Sequence, residues 1–85
     1  VVLFFTADWS GPCQSMNNVL LEVAAETAGV KFCSVDIDTN MTLCEDYGIR
    51  AIPTLLVFNN HALVDRLSGV MPKSAVEAFI NHCLR

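Results

Sequence analysis

One thiol in this chain is placed to react. Cys13 closes the stretch Trp9-Ser10-Gly11-Pro12-Cys13, which follows an apolar run from Val1 to Phe5 and leads into a helix-patterned segment from Met16 to Ala28. A tight Gly-Pro turn between a strand and a helix puts that thiol at a helix N-terminus, where backbone N–H groups and the helix dipole favour a thiolate. Ser10 offers only a hydroxyl, far too weak an acid to supply an oxyanion equivalent to a thiolate, and no histidine nearby in the chain could activate it. The remaining cysteines, Cys33, Cys44 and Cys83, form no Cys-x-x-Cys spacing. Neither the cysteines nor His61 and His82 come in ligand-like pairs, so neither a metal nor another cofactor is expected.

Three of the four cysteines lie in apolar periodic stretches, which suits buried thiols in a reducing compartment. Buried packing is the expectation for Cys33, Cys44 and Cys83, with Cys44 and Cys83, on helix faces, the ones to probe as regulatory thiols. The chain has 85 residues, 53% of them apolar, enough for one small domain with a core. A net charge of −4 argues against nucleic acid. No apolar run approaches the roughly 18 residues a membrane span needs, and no signal-peptide pattern is visible. The expected location is therefore the cytoplasm, with the nucleus as the alternative. Val1 falls within a strand-like run and no initiator Met precedes it, so the chain is expected to be a fragment or a trimmed product.

The elements that hold Cys13 follow from periodicity. Val1 to Thr6 reads as a buried strand. Met16, Val19, Leu20, Val23 and Ala24 recur at helical steps, and Gly29 is a plausible stop. Lys31 to Ile37 is a second strand, ended by Asp36, Asp38, Thr39 and Asn40. The two aspartates read as turn and capping residues rather than metal ligands, and Thr39 or Asn40 is expected to cap a short helix through Tyr47. Thr54 to Phe58 and Ala62 to Leu67 form a hairpin around Asn59-Asn60-His61. Gly69 breaks the second of these, and Pro72 opens a last helix with the stripe Val76, Phe79, Ile80, Cys83 and Leu84. Strands separated by helices imply parallel crossovers, with the hairpin closing the sheet. The whole is a single domain over residues 1–85.

Order and motifs together resemble the thioredoxin fold, an α/β architecture with a central mixed sheet in the order β-α-β-α-β-β-α, lacking the first strand and helix of the full fold. The resemblance rests on Trp9 to Cys13, Asp36-Ile37-Asp38, Tyr47 to Thr54, and Gly69 after the hairpin. It implies a cis peptide at Ile52-Pro53, and a groove of Trp9, Gly11, Pro12, Ile52, Pro53, Gly69 and Val70 that holds an extended protein or peptide segment. It also implies that Ser10 stands where the family's attacking cysteine stands and Cys13 where its buried resolving cysteine stands. Phe4 occupies the place of the family's buried acid and Ser34 that of its accompanying lysine, so a single Cys→Ser change would account for Ser10 but not for Phe4 or Ser34. Without a preceding strand, the Lys31 to Ile37 strand would be a free sheet edge.

The loss of the first cysteine with retention of the second is similar to the N-terminal thioredoxin-like domain of multidomain monothiol glutaredoxins of the PICOT type. Cys13-x-x-Met16-Asn17-x-Val19, Glu22-x-Ala24-x-Glu26 and Val64 to Gly69 carry that likeness, whereas Gly11-Pro12 and Tyr47 to Arg50 are closer to thioredoxins themselves. The first expectation is thus a non-catalytic docking domain, belonging to a parent chain with a glutaredoxin domain and a role in iron–sulfur handling. The alternatives are a thioredoxin disulfide reductase disabled at Ser10, or a redox-inert peptide-binding chaperone or assembly subunit.

Overall fold

The computed structural model describes all residues 1–85. Its elements are β1 (Val2–Thr6), α1 (Gly11–Glu26), β2 (Phe32–Asp36), α2 (Met41–Asp46), β3 (Thr54–Asn59), β4 (Ala62–Ser68) and α3 (Lys73–Cys83). The sheet order is β2-β1-β3-β4. β1 is therefore interior, which is why the segment from Val1 onward is continuously apolar rather than alternating. β2 pairs only with β1 and forms one edge of the sheet, as expected for the Lys31 to Ile37 segment, and β4 forms the other.

One expectation is corrected. β1 and β2 run parallel, but β3 pairs with β1 antiparallel, in the register Val2–Val57 to Phe5–Thr54. β2 ends with Asp36 opposite Thr6, and β3 begins with Thr54 opposite Phe5, at the same end of β1. The connection between them is taken up by the turn after β2, the six-residue α2 and the loop to Pro53, not by a crossover back along the sheet. The chain therefore enters β3 from the end at which it left β2, and runs the other way.

Side chains alternate across the sheet. Val2 and Phe4 of β1, with Leu55 and Val57 of β3, join Cys13, Met16, Leu20 and Val23 of α1 and Val76, Ile80 and Cys83 of α3 in the larger core. The opposite face is thinner. Phe5, Val35 and Leu56 form its buried apolar cluster, covered by half-buried side chains such as Leu43, Cys44, Tyr47 and Ile49. Tyr47 packs edge-on against Phe58, with ring centroids 5.7 Å apart. Each aliphatic or aromatic side chain so buried contributes about 1.5–3 kcal/mol.

The local signals explain most boundaries. Asn60 and His61 have φ of 53° and 67°, the two left-handed residues of a type I′ turn, whose twist suits a two-residue hairpin. Thr27 ends α1, its N–H bonding the Ala24 carbonyl and its hydroxyl the Val23 carbonyl, and Gly29 follows at φ 79°. Asp36 makes the expected turn, its Oδ1 accepting from the Asp38 N–H at 2.8 Å. Neither Thr39 nor Asn40 caps α2 by its side chain. Asn40 stands at the N-cap position, but its Nδ2 donates instead to the Asp36 carbonyl at 2.9 Å, closing the turn rather than the helix. No helix is long and apolar enough to cross a membrane.

Candidate functional site

α1 begins where the sequence turns from Gly-Pro to helical spacing, with Pro12 in its first turn, where a missing N–H costs nothing. Ser10 is the N-cap. Its Oγ accepts a hydrogen bond from the Cys13 N–H at 3.3 Å, in the manner of a favourable serine cap worth about 1 kcal/mol over alanine. Both side chains are buried, Ser10 at 7% exposure and Cys13 at 1%. The residue-10 side chain is therefore aimed at a helix N-terminal N–H, the place at which a negative sulfur would be stabilised. Its hydroxyl uses that donor for capping.

Trp9 lies beside this turn and is 69% exposed. Its Nε1–H donates to Asp38 Oδ2 at 2.9 Å, so the turn after β2 fixes the indole. Asp38 thus has a second duty that the turn signal alone did not reveal. The ring forms one side of a cavity of about 720 Å³ lined by Ile37, Asp38, Met41, Cys44, Glu45 and the segment Gly48 to Ile52. Of the groove residues named from sequence, Trp9 and Ile52 line this cavity. Gly11 and Pro12 are exposed in the first turn of α1. Pro53 is buried after a cis Ile52-Pro53 bond, and its carbonyl accepts from the Gly69 N–H at 2.9 Å, which brings those two residues together. Val70, next in the chain, is half-exposed.

The four cysteines are free thiols. Cys13 and Cys83 are buried, but Cys33 and Cys44 are only half-buried, against the expectation of buried packing for both. α2 is too short to bury any residue fully, so Cys44 faces the cavity, and Cys33 lies on an edge strand. Cys83 is buried, as its place in the α3 stripe leads one to expect: it faces the larger core, and is therefore poorly placed as a regulatory thiol. Burial pushes its thiol pKa up, and the charge of Asp65 adds to the shift. The folded chain then keeps this proton at a pH where the unfolded thiol, with a pKa of about 8.5, has lost it. The stabilisation is present below that pH and declines as pH rises above it. Lys73 acts in the same sense: its hydrogen bond to Glu26 Oε1 at 2.8 Å raises its pKa, and that contribution is lost as the ammonium deprotonates. At about pH 9, iodoacetamide is expected to alkylate Cys83 at least tenfold more slowly in the folded chain than in urea, read by peptide mass. Equal rates would show the thiol to be accessible.

A family profile described as Thioredoxin matches residues 1–82. The chain belongs to the thioredoxin family. It is 40% identical over 82 residues to a thioredoxin of Haemophilus influenzae, and 38% identical over 82 residues to one of Porphyra purpurea. Each match covers 95% of this chain and 77% of the relative. The solved thioredoxin of Fasciola hepatica superposes with a TM-score of 0.88 at 31% identity, covering 95% of this chain and 77% of that one. The thioredoxin of Malassezia sympodialis gives 0.85 at 34% identity, with coverage of 95% and 71%.

Against thioredoxins, the residues below the site stand out. Phe4 and Ser34 are direct partners in the β1–β2 ladder, so the positions that resemblance assigns to an acid and a lysine are adjacent here. Phe4 packs into the core with Cys13, while Ser34 is exposed on the edge strand. A phenyl ring there strengthens the core and offers the Cys13 thiol no proton acceptor. No three His, Cys, Asp or Glu side chains come together as a metal site.

Proposed function

We propose that this chain is a thioredoxin of the protein disulfide reductase type in which Ser10 replaces the attacking thiol. It holds an extended protein or peptide segment beside Trp9 and Pro53 without attacking the segment's disulfide. The observation that carries this reading is the Ser10 hydroxyl, seated 3.3 Å from the Cys13 N–H at the start of α1. The position of a thioredoxin nucleophile is kept and its chemistry is missing. Cys13 is buried beneath it and cannot take over the attack on a bulky substrate. Four free thiols fit a reducing cytosolic or nuclear compartment.

The docking domain of a monothiol glutaredoxin has in its favour the lone Cys13 and the pattern Glu22-x-Ala24-x-Glu26. That pattern is also what an amphipathic α1 requires, since Glu22 and Glu26 lie on its exposed face and bind Lys73. The relatives at 38% and 40% identity carry the plain name thioredoxin, which favours the reductase lineage over an iron–sulfur role.

The test has two parts. The chain should leave the reduction of insulin by dithiothreitol at its background rate. Carboxymethylated insulin B chain, an extended peptide without a disulfide, should quench the fluorescence of Trp9, the single tryptophan. Catalysed reduction, or no binding of the peptide, would overturn the reading.

A further inference from the structure

We propose that Arg66 is a positioning residue for the groove: from β4 it pins the C-terminal turn of α2, and so sets the wall that faces Trp9. The pinning is a matter of hydrogen bonds; its consequence for peptide binding rests on the function proposed above.

The end of α2 is closed in two steps. Gly48, at φ 62°, donates its N–H to the Glu45 carbonyl at 3.1 Å, and Ile49 donates to the Cys44 carbonyl at 2.9 Å. This is the Schellman arrangement, which satisfies two of the carbonyls left open by a helix end. Two carbonyls beyond these, of Tyr47 and Gly48, are taken by a strand distant in sequence. Arg66 Nη2 donates to the Tyr47 carbonyl at 2.7 Å, and Nη1 reaches the Gly48 carbonyl at 3.5 Å. A guanidinium there meets the negative end of the helix dipole and supplies charge-assisted bonds. Residues on both sides of the gripped Tyr47 carbonyl, Cys44 and Glu45 before it and Gly48 to Arg50 after it, line the same cavity as Trp9. α2 buries no residue fully, so the half-buried packing of Leu43, Cys44, Tyr47 and Ile49 is the other hold on that wall, and the Arg66 bonds add to it.

A one-residue irregularity in the hairpin makes this reach possible. Phe58 pairs with Leu63 but Val57 pairs with Asp65, so Val64 is an extra residue on β4. Because strand side chains alternate, an insertion exchanges the faces of everything beyond it. With the bulge, Arg66 stands opposite Leu56, on the face covered by α2. In an unbroken register Asp65 would occupy that place, and a carboxylate would confront the carbonyls of Tyr47 and Gly48. The bulge and Arg66 therefore act as one device.

Two measurements decide the matter. Alkylation of the half-buried Cys44 by iodoacetamide, read by peptide mass against Cys33 as internal reference, reports the freedom of α2. Arg66→Ala should speed it about fivefold, the scale expected for loss of a charge-assisted bond at a surface. Arg66→Lys, which keeps a donor and the charge, should restore most of the parent rate. Asp65→Ala, on the other face of β4, should leave it unchanged. Unchanged Cys44 labelling in Arg66→Ala would overturn the pinning. The affinity of carboxymethylated insulin B chain, read from Trp9, should fall several-fold in Arg66→Ala and recover in Arg66→Lys. A chain whose Cys44 labelling rises while its peptide affinity stays constant would overturn the role in the groove. Failure of the parent chain to bind the peptide would count against the proposed function alone, and the labelling would still decide whether Arg66 pins the wall.

Discussion

Replacing Ser10 by cysteine is expected to turn a chain inert toward insulin into a reductase at least about 100-fold above the parent, because a thiol gains a usable anion where a hydroxyl has none. The geometry for this is in place. The residue-10 side chain already accepts the Cys13 N–H at the α1 N-terminus, and an introduced thiolate would accept the same bond. It would attack one sulfur of the substrate disulfide, forming a mixed disulfide and releasing the first substrate thiolate. Cys13 would then lose its proton, attack the introduced sulfur and release the second substrate thiolate. The new disulfide with Cys13 would be reduced in turn by dithiothreitol. Phe4 puts a phenyl ring rather than a carboxylate in the core with Cys13, so the loss of the Cys13 proton should limit the rate. With dithiothreitol removed, adding Cys13→Ser to the reduced variant should arrest the reaction at a mixed disulfide visible by mass. A Ser10→Cys chain that folds and forms its disulfide with Cys13, yet reduces insulin no faster than background, would remove the reductase lineage as an account of the groove. Non-covalent binding would then be its sole activity.

The second large effect concerns stability. Phe5→Ala should cost about 3–5 kcal/mol, a typical penalty for emptying a buried aromatic site. A domain of this kind has only about 5–15 kcal/mol in total. Phe5 is fully buried, and its apolar cluster on that face holds only two other buried side chains, Val35 and Leu56. α2 is short and half-buried, so the loss there has few neighbours to share it. Urea denaturation followed by far-ultraviolet circular dichroism measures the change as a lower midpoint. A loss under about 1 kcal/mol would show that the α2 face does not pack as a core.

Much of the site was legible because its signals are local. The Gly-Pro turn, the helical steps from Met16 to Val23 and the Asn60-His61 hairpin are each set within a few residues, and the structure has all three. The direction of β3 was not legible, since an apolar run reads the same either way along a sheet. The exposure of Cys44 depends on how little of a six-residue helix can be covered, which the capping signals around Asn40 do not encode. Serine is among the best helix caps, so the signal for Ser10 was present. The neighbouring Gly-Pro-Cys motif masks it, since there Ser10 reads first as a missing nucleophile. Arg66 lay beyond sequence reasoning altogether, since one inserted residue at Val64 decides which face it takes.

The unequal thickness of the two faces also divides the molecule in time. Leu55, Leu56 and Val57 are wholly inaccessible, with β1 and β4 bonded on either side of their strand, whereas α2 contributes no fully buried residue. Backbone amides of β3 should therefore exchange with heavy water only when the whole chain unfolds. Those of α2 should exchange through a smaller opening that leaves the sheet intact. Equal protection of the two segments would contradict this. The α2 side of the molecule is then a separate cooperative unit, free to reshape while the α1 and α3 side stays closed.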